Sequence, residues 1–151
     1  MRQSWEDFFF EVAGLLSTRS TCLRRQYGAV LVRDKTIIST GFNGAPRGCP
    51  HCEDIGCARE NVPSGKDLEL CRAAHAEQNC IANAARLGMP TIGSELFLYP
   101  ADMPCPHCAR LLINAGIVAV HYKQTDYPGW SQSMALFKEA NVKLVYYSPK
   151  I

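Results

Sequence analysis

The stretch ELFLYPADMPCPHCARLLINAGIVAVHY, Glu95 to Tyr122, decides the fold. ELFLY is a short apolar run with an aromatic, the composition of a strand. CPHCARLLINAG reads as a helix: Pro106 suits a first turn, where no N–H is needed, and Gly116 suits the end. IVAVHY is again a strand. A strand, a helix of ten to fifteen residues and a second strand form one unit of parallel sheet, because parallel neighbours need a crossover connection.

The same alternation extends outward. Upstream, HAEQNCIANAARLG reads as a helix that stops at Gly88, and AVLV, a turn at Asp34-Lys35 and TIIST read as a β-hairpin. Downstream, SQSMALFKEAN is a further helix and VKLVYY a last strand. Together they imply an α/β fold around a largely parallel sheet. At the N-terminus Ser4 caps a helix whose Trp5, Phe8, Phe9, Val12, Leu15 and Leu16 form a stripe expected to face the core. From Gly41 to Ala74 the chain changes character, with glycines, prolines and cysteines but little apolar period. A loop that long in a compact domain is functional or tied down by something.

The bulk numbers suit one domain, residues 1–151, with no internal repeat or linker. The chain is 47% hydrophobic and 20% charged, with a net charge of +2, and no basic stripe marks a polynucleotide partner. No run of about 18 apolar residues suggests a membrane span. Acidic residues interrupt the apolar stretch MRQSWEDFFFEVAGLL, unlike a signal peptide, so a cytoplasmic location is expected. Thiols stay reduced there, which turns the eight cysteines toward metal binding rather than disulfides. Cys80, inside a helix, is expected in the core.

Cys105 and Cys108, three apart, share one face of a helix's first turn, where free amides and the dipole favour thiolate. His75 begins the preceding helix. Two thiolates and one imidazole make three protein ligands, the number that leaves a zinc ion its fourth position for water. Glu77 follows His75 by two residues; mid-helix that offset is a rotation of about 200°, so the two side chains would point apart. If His75 stands at the helix start, its backbone need not be helical. His75 can then face a metal while Glu77, not itself a ligand, carries protons for the water.

HAE followed by PCPHC resembles the H-x-E…P-C-x-x-C signature of the zinc-dependent nucleobase deaminases. STC at Ser20, YGAVLV, GFNGAPRG, PHCEDIGC and LCRAAHAEQN resemble, over roughly residues 4–147, the deoxycytidylate deaminase branch of that family, late-competence relatives included. The resemblance implies the cytidine deaminase-like fold, three α/β/α layers with a mixed five-stranded sheet and helices on both faces. It implies hydrolytic deamination of dCMP to dUMP with release of ammonia, a step toward thymidylate. His75, Cys105 and Cys108 would hold a catalytic zinc, and Glu77 would be the general acid/base.

The resemblance further implies a second, structural zinc on Cys22, Cys52, Cys57 and Cys71, making residues 41–74 a zinc-stapled loop; His51 or Cys49 is the alternative for one ligand. Substrate contacts carried over are Asn43 at the sugar, the amide of Ala76 at the base carbonyl, and Arg24, with Arg25 or Arg47 as further candidates, at a 5′-phosphate. Arg86 and Tyr127 complete the set. Family members are typically homohexamers controlled by dCTP and dTTP. Two alternatives stay open at this point. One is a deaminase of another cytosine nucleotide, a nucleoside or an RNA base; the other is a non-catalytic zinc-binding protein of the competence type.

Overall fold

A computed structural model describes residues 1–123 and 129–149. Helix α1 spans Trp5–Ser17, and Ser4 caps it by accepting the amide N–H of Asp7 at 3.0 Å. Strands β1 (Gly28–Arg33) and β2 (Thr36–Phe42) form the expected hairpin. Asp34 and Lys35 both take positive φ in its two-residue turn, the geometry that matches the twist of paired strands. After the long loop, which carries the short helix α2 (Cys52–Ile55), come α3 (Ala76–Leu87), β3 (Glu95–Tyr99), α4 (Pro106–Asn114), β4 (Ala119–Tyr122), α5 (Trp130–Glu139) and β5 (Lys143–Tyr146).

The five strands lie in the order β2-β1-β3-β4-β5. Strand β1 is antiparallel to both β2 and β3, whereas β3, β4 and β5 run parallel. The sheet is therefore mixed, as the fold resemblance implies. It is less parallel than the strand–helix alternation suggests, because β1 arrives from a hairpin and pairs β3 across a long connection.

Strand β1 shows why both faces are covered. Ala29 and Leu31 point into a core shared with α3, α4 and α5, where Cys80, Leu96, Leu112, Val120 and Phe137 are buried. Val30 and Val32 point to the opposite face and join Phe9, Phe10 and Phe97 beneath α1. Successive side chains alternate across a strand, so a strand buried on both faces reads as one continuous apolar run. AVLV is such a run. Cys80 lies in the first core, where its thiol donates to the carbonyl of Ala29 at 3.2 Å.

The stripe expected on α1 is turned from its expected place. Phe9, Phe10 and Ala13 are buried, with Val12 and Leu16 partly so, while Trp5, Phe8 and Leu15 are exposed. The helix carries apolar residues on more than one face, and periodicity alone could not select between adjacent stripes. Packing selects it: α1 lies so close to β1 that a Cβ at Gly28 would stand 1.9 Å from the carbonyl oxygen of Ala13. Among the described residues no helix is long and apolar enough to cross a membrane.

Gly28→Ala should force α1 off the sheet and lower stability by roughly 1–3 kcal/mol, the usual range for overpacking a tight contact. Thermal unfolding of the variant checks this, and an unchanged Tm would mean the approach is not tight.

Candidate active site

Two helices deliver the site. His75 is the N-cap residue of α3, with extended backbone at φ −71° and ψ 156°. Cys105 is the N-cap of α4, with nearly the same angles, φ −66° and ψ 162°, and Pro106 occupies the first turn. Because His75 stands outside the helical spiral, the rotation that would separate it from Glu77 does not apply. Gln78 steadies the turn, its side-chain oxygen accepting the His75 N–H at 2.7 Å.

The sheet and its contacts bring the two helix starts together. α4 begins just beyond the carboxyl end of β3, the end at which open α/β sheets characteristically build their sites. α3 lies against β2 through three side-chain bonds. Asn79 donates to the Phe42 carbonyl at 2.7 Å and Asn83 to the Thr40 carbonyl at 2.7 Å, while the Ser39 hydroxyl donates to the Cys80 carbonyl at 2.7 Å. This contact needs Gly41, where a Cβ would sit 2.4 Å from the Ala76 carbonyl oxygen. A two-way main-chain bridge between Gly44 and Ala74 fixes the residue just before His75.

The outcome is a compact donor set. One ligand atom each from His75, Cys105 and Cys108 lies within 4.8 Å of the others, and among the described residues no other such group of three forms. The Nδ1 atom of His75 is 3.3 Å from the Cys108 sulfur and 3.6 Å from the Cys105 sulfur. Cys108 is fully buried and Cys105 nearly so. A hydrogen bond from Cys108, supported by one from His75, lowers the Cys105 thiol to about 4. Cys108, the donor of that pair, is pushed up for the same reason, and His75 is raised chiefly by its bond to Cys105.

Glu77 is only 4% exposed, and burial raises its carboxyl above the usual range while the nearby His75 acts to lower it. Its carboxyl also interacts with the Cys108 thiol. A buried acid beside an imidazole and two thiols, its carboxyl raised by burial, is suited to hold and release a proton. Ala76, the first residue of α3, is wholly buried between His75 and Glu77.

The other residues singled out from sequence stand in several places. Asn43 is buried with its carboxamide turned to the main chain, accepting from the Tyr27 N–H at 2.8 Å and donating to the Arg25 carbonyl at 2.9 Å. Arg24 is exposed and donates to the Arg59 carbonyl at 2.7 Å. Arg25 reaches the Ser64 hydroxyl at 3.4 Å. Arg86 is not brought to the trio. It lies in the last turn of α3, roughly 15 Å along the axis from Ala76, and faces an open groove of about 450 Å³ shared with Arg47, Asn83 and β2. Tyr127 lies outside the described residues.

Cys22, Cys52, Cys57 and Cys71 do not form such a compact donor set. The Cys52 thiol is raised first by burial and then by the charges of Cys22, Cys57 and Cys71. Sequence reasoning missed Tyr27, whose hydroxyl donates to Asp102 at 3.1 Å just ahead of Cys105, and the buried Arg59. Tyr27 opens the YGAVLV stretch, but nothing in that stretch says which acid its hydroxyl will reach, and Arg59 is held by main-chain carbonyls that no motif marks.

Residues 3–124 match the family model described as the cytidine and deoxycytidylate deaminase zinc-binding region. The deoxycytidylate deaminase of Schizosaccharomyces pombe is 39% identical over 150 residues, which cover 98% of this chain and 45% of that protein. This chain thus spans about half the length of its fission-yeast relative. ComE operon protein 2 of Bacillus subtilis is 39% identical over 141 residues, covering 93% of this chain and 70% of that one. The crystal structure of dCMP deaminase from the cyanophage S-TIM5 in complex with dCMP and dUMP superposes with a TM-score of 0.78 at 26% identity, covering 97% of this chain and 99% of that one.

Replacing Cys108 with Ser should remove metal from the trio, because a hydroxyl does not ionise to match a thiolate ligand. Metal analysis of the purified variant should find one fewer zinc per chain than in the wild type.

Proposed function

The chain belongs to the cytidine and deoxycytidylate deaminase family, and we propose that it hydrolyses dCMP to dUMP and ammonia. The observation that carries this reading is the convergence of one imidazole and two thiols beside a buried glutamate, with no fourth protein ligand among the described residues. One nitrogen and two sulfur donors fit zinc, and a set of three is the pattern of a catalytic rather than a closed structural site. His75, Cys105 and Cys108 would hold the ion. Bound there, zinc supplies Lewis acidity that makes a water molecule easier to deprotonate.

The residues do the rest. Glu77 takes one proton of the attacking water and passes it to the ring nitrogen beside the reacting carbon, then takes the second from the hydroxyl now on that carbon and gives it to the departing amine. Water and dCMP become dUMP and ammonia, with the carboxylate regenerated. Burial suits Glu77 to this exchange, since a carboxyl raised toward neutrality both accepts and returns a proton. The amide of Ala76, free at the start of α3, is suited to donate to the base carbonyl.

The dCMP substrate is supported by the 39%-identical deoxycytidylate deaminase and by the S-TIM5 complex, which is similar over nearly the whole chain. In this reading Asn43 holds the loop that lies against the sugar, and Arg24 is the candidate for the 5′-phosphate, where a guanidinium offers paired donors. Tyr127 and Arg86 are assigned to the substrate by resemblance alone. The reading extends to a single domain, residues 1–151, a second zinc on Cys22, Cys52, Cys57 and Cys71, a cytoplasmic homohexamer, and control by dCTP and dTTP. Support for the second zinc is that Cys22, Cys57 and Cys71 all lie near enough to Cys52 to act on its thiol, beside a loop with little apolar core.

Liquid chromatography of cytosine nucleosides and their mono-, di- and triphosphates tests the substrate. Turnover of dCMP should far exceed that of deoxycytidine, because the phosphate then contributes to transition-state binding. Equal rates would reject a nucleotide substrate. Glu77→Gln should lower kcat by about 10² to 10⁴, the usual effect of losing a general acid/base, while zinc content stays unchanged.

A further inference from the structure

Strand β1 runs antiparallel between β2 and β3, and its first residue, Gly28, pairs with Phe42 on one side and Tyr99 on the other. Tyr27, one residue earlier, therefore stands between two chains just leaving the sheet. One enters the long loop at Asn43; the other runs through Asp102 to Cys105. The main chain of Tyr27 holds the first. Its N–H donates to the Asn43 carboxamide oxygen at 2.8 Å, and its carbonyl accepts from the Asn43 N–H at 3.3 Å. Its side chain holds the second, the hydroxyl donating to Asp102 Oδ2 at 3.1 Å.

Met103 and Pro104, between Asp102 and Cys105, are fully buried, so a hold on Asp102 reaches the Cys105 main chain with little slack. The Tyr27 ring packs against the core cluster that includes Ala76, Cys105 and Cys108. Burial pushes the phenol up to about 12, so the group stays a hydrogen-bond donor at neutral pH. Asp102 Oδ1 is buried with no partner among the described residues, which makes the bond to Oδ2 costly to lose.

In the reading above the base meets the trio while the sugar meets Asn43, so bound dCMP spans the two segments that Tyr27 joins. We infer that Tyr27 is a positioning residue for the substrate, setting Asn43 against the Cys105 segment before dCMP arrives. This assignment rests on the dCMP reading and adds to it a residue outside the deaminase signature. Without the hydroxyl the two segments take other relative placements, and apparent affinity falls with the fraction of molecules left competent to bind. Binding restores the placement, so the cost falls on binding rather than on the chemical step.

Tyr27→Phe in the full chain removes only the hydroxyl and leaves both main-chain bonds to Asn43 in place. KM for dCMP should rise roughly 10-fold, the equivalent of one hydrogen bond to a charged acceptor, with kcat within about twofold and zinc content unchanged. Asp102→Ala should repeat that rise, and the double variant should add nothing to it. Asp102→Asn keeps an acceptor for the phenol and should stay close to wild type. A merely structural role would instead lower Tm with KM unchanged, or lower zinc content and kcat. Either result overturns the assignment, as does additivity of the two substitutions. Wild-type protein that turns over dCMP beside a Tyr27→Phe variant of unchanged KM would overturn the role of Tyr27 alone. Wild-type protein inactive on dCMP would reject the substrate reading and this assignment with it.

Discussion

The structure depends on two helix N-termini meeting at one buried point. The first turns of α3 and α4 carry the positive ends of their dipoles and unpaired amides, an arrangement that favours anions. Into that field the chain places a thiol lowered to about 4, a second thiol bonded to it, an imidazole and a carboxyl. Isolated, such groups would resist burial; gathered, each offsets another. The geometry tolerates little slack. A side chain at Gly41 would meet the Ala76 carbonyl and push α3, and with it His75 and Glu77, away from α4.

Legibility in the sequence follows the range of the forces involved. The hairpin turn at Asp34-Lys35, the stop at Gly88 and the start at Pro106 are local matters of φ and of missing donors, and each stands where its residue type implies. The spacing of Cys105 and Cys108 is local too. The stripe of α1 is not, because Trp5 and Leu15 are as apolar as Phe9 and Phe10 and only the position of the sheet decides between them. The antiparallel pairing of β1 with β3 was equally hidden, being a contact between strands separated by more than sixty residues.

The site divides along the same line. His75, Glu77, Cys105 and Cys108 sit on rigid elements whose starts are marked by N-cap and proline chemistry, and a short motif carries them. Arg24, Asn43 and Arg59 act through a loop without periodic pattern, held by carbonyls and thiols. Nothing in their spacing says which carbonyl a guanidinium will reach.

Arg86 shows why the two kinds of residue must be argued differently. Its offset of eleven from His75 invites assignment to the same site, yet a helix converts that offset into roughly three turns of axial distance. On its own chain the guanidinium therefore addresses the β2 groove beside Arg47 and Asn83. Spacing within a helix measures direction and distance together, whereas spacing across a strand–loop–helix unit measures neither. The offset of thirty from His75 to Cys105 closes to a contact of 3.6 Å because the sheet, not the intervening chain, sets their separation.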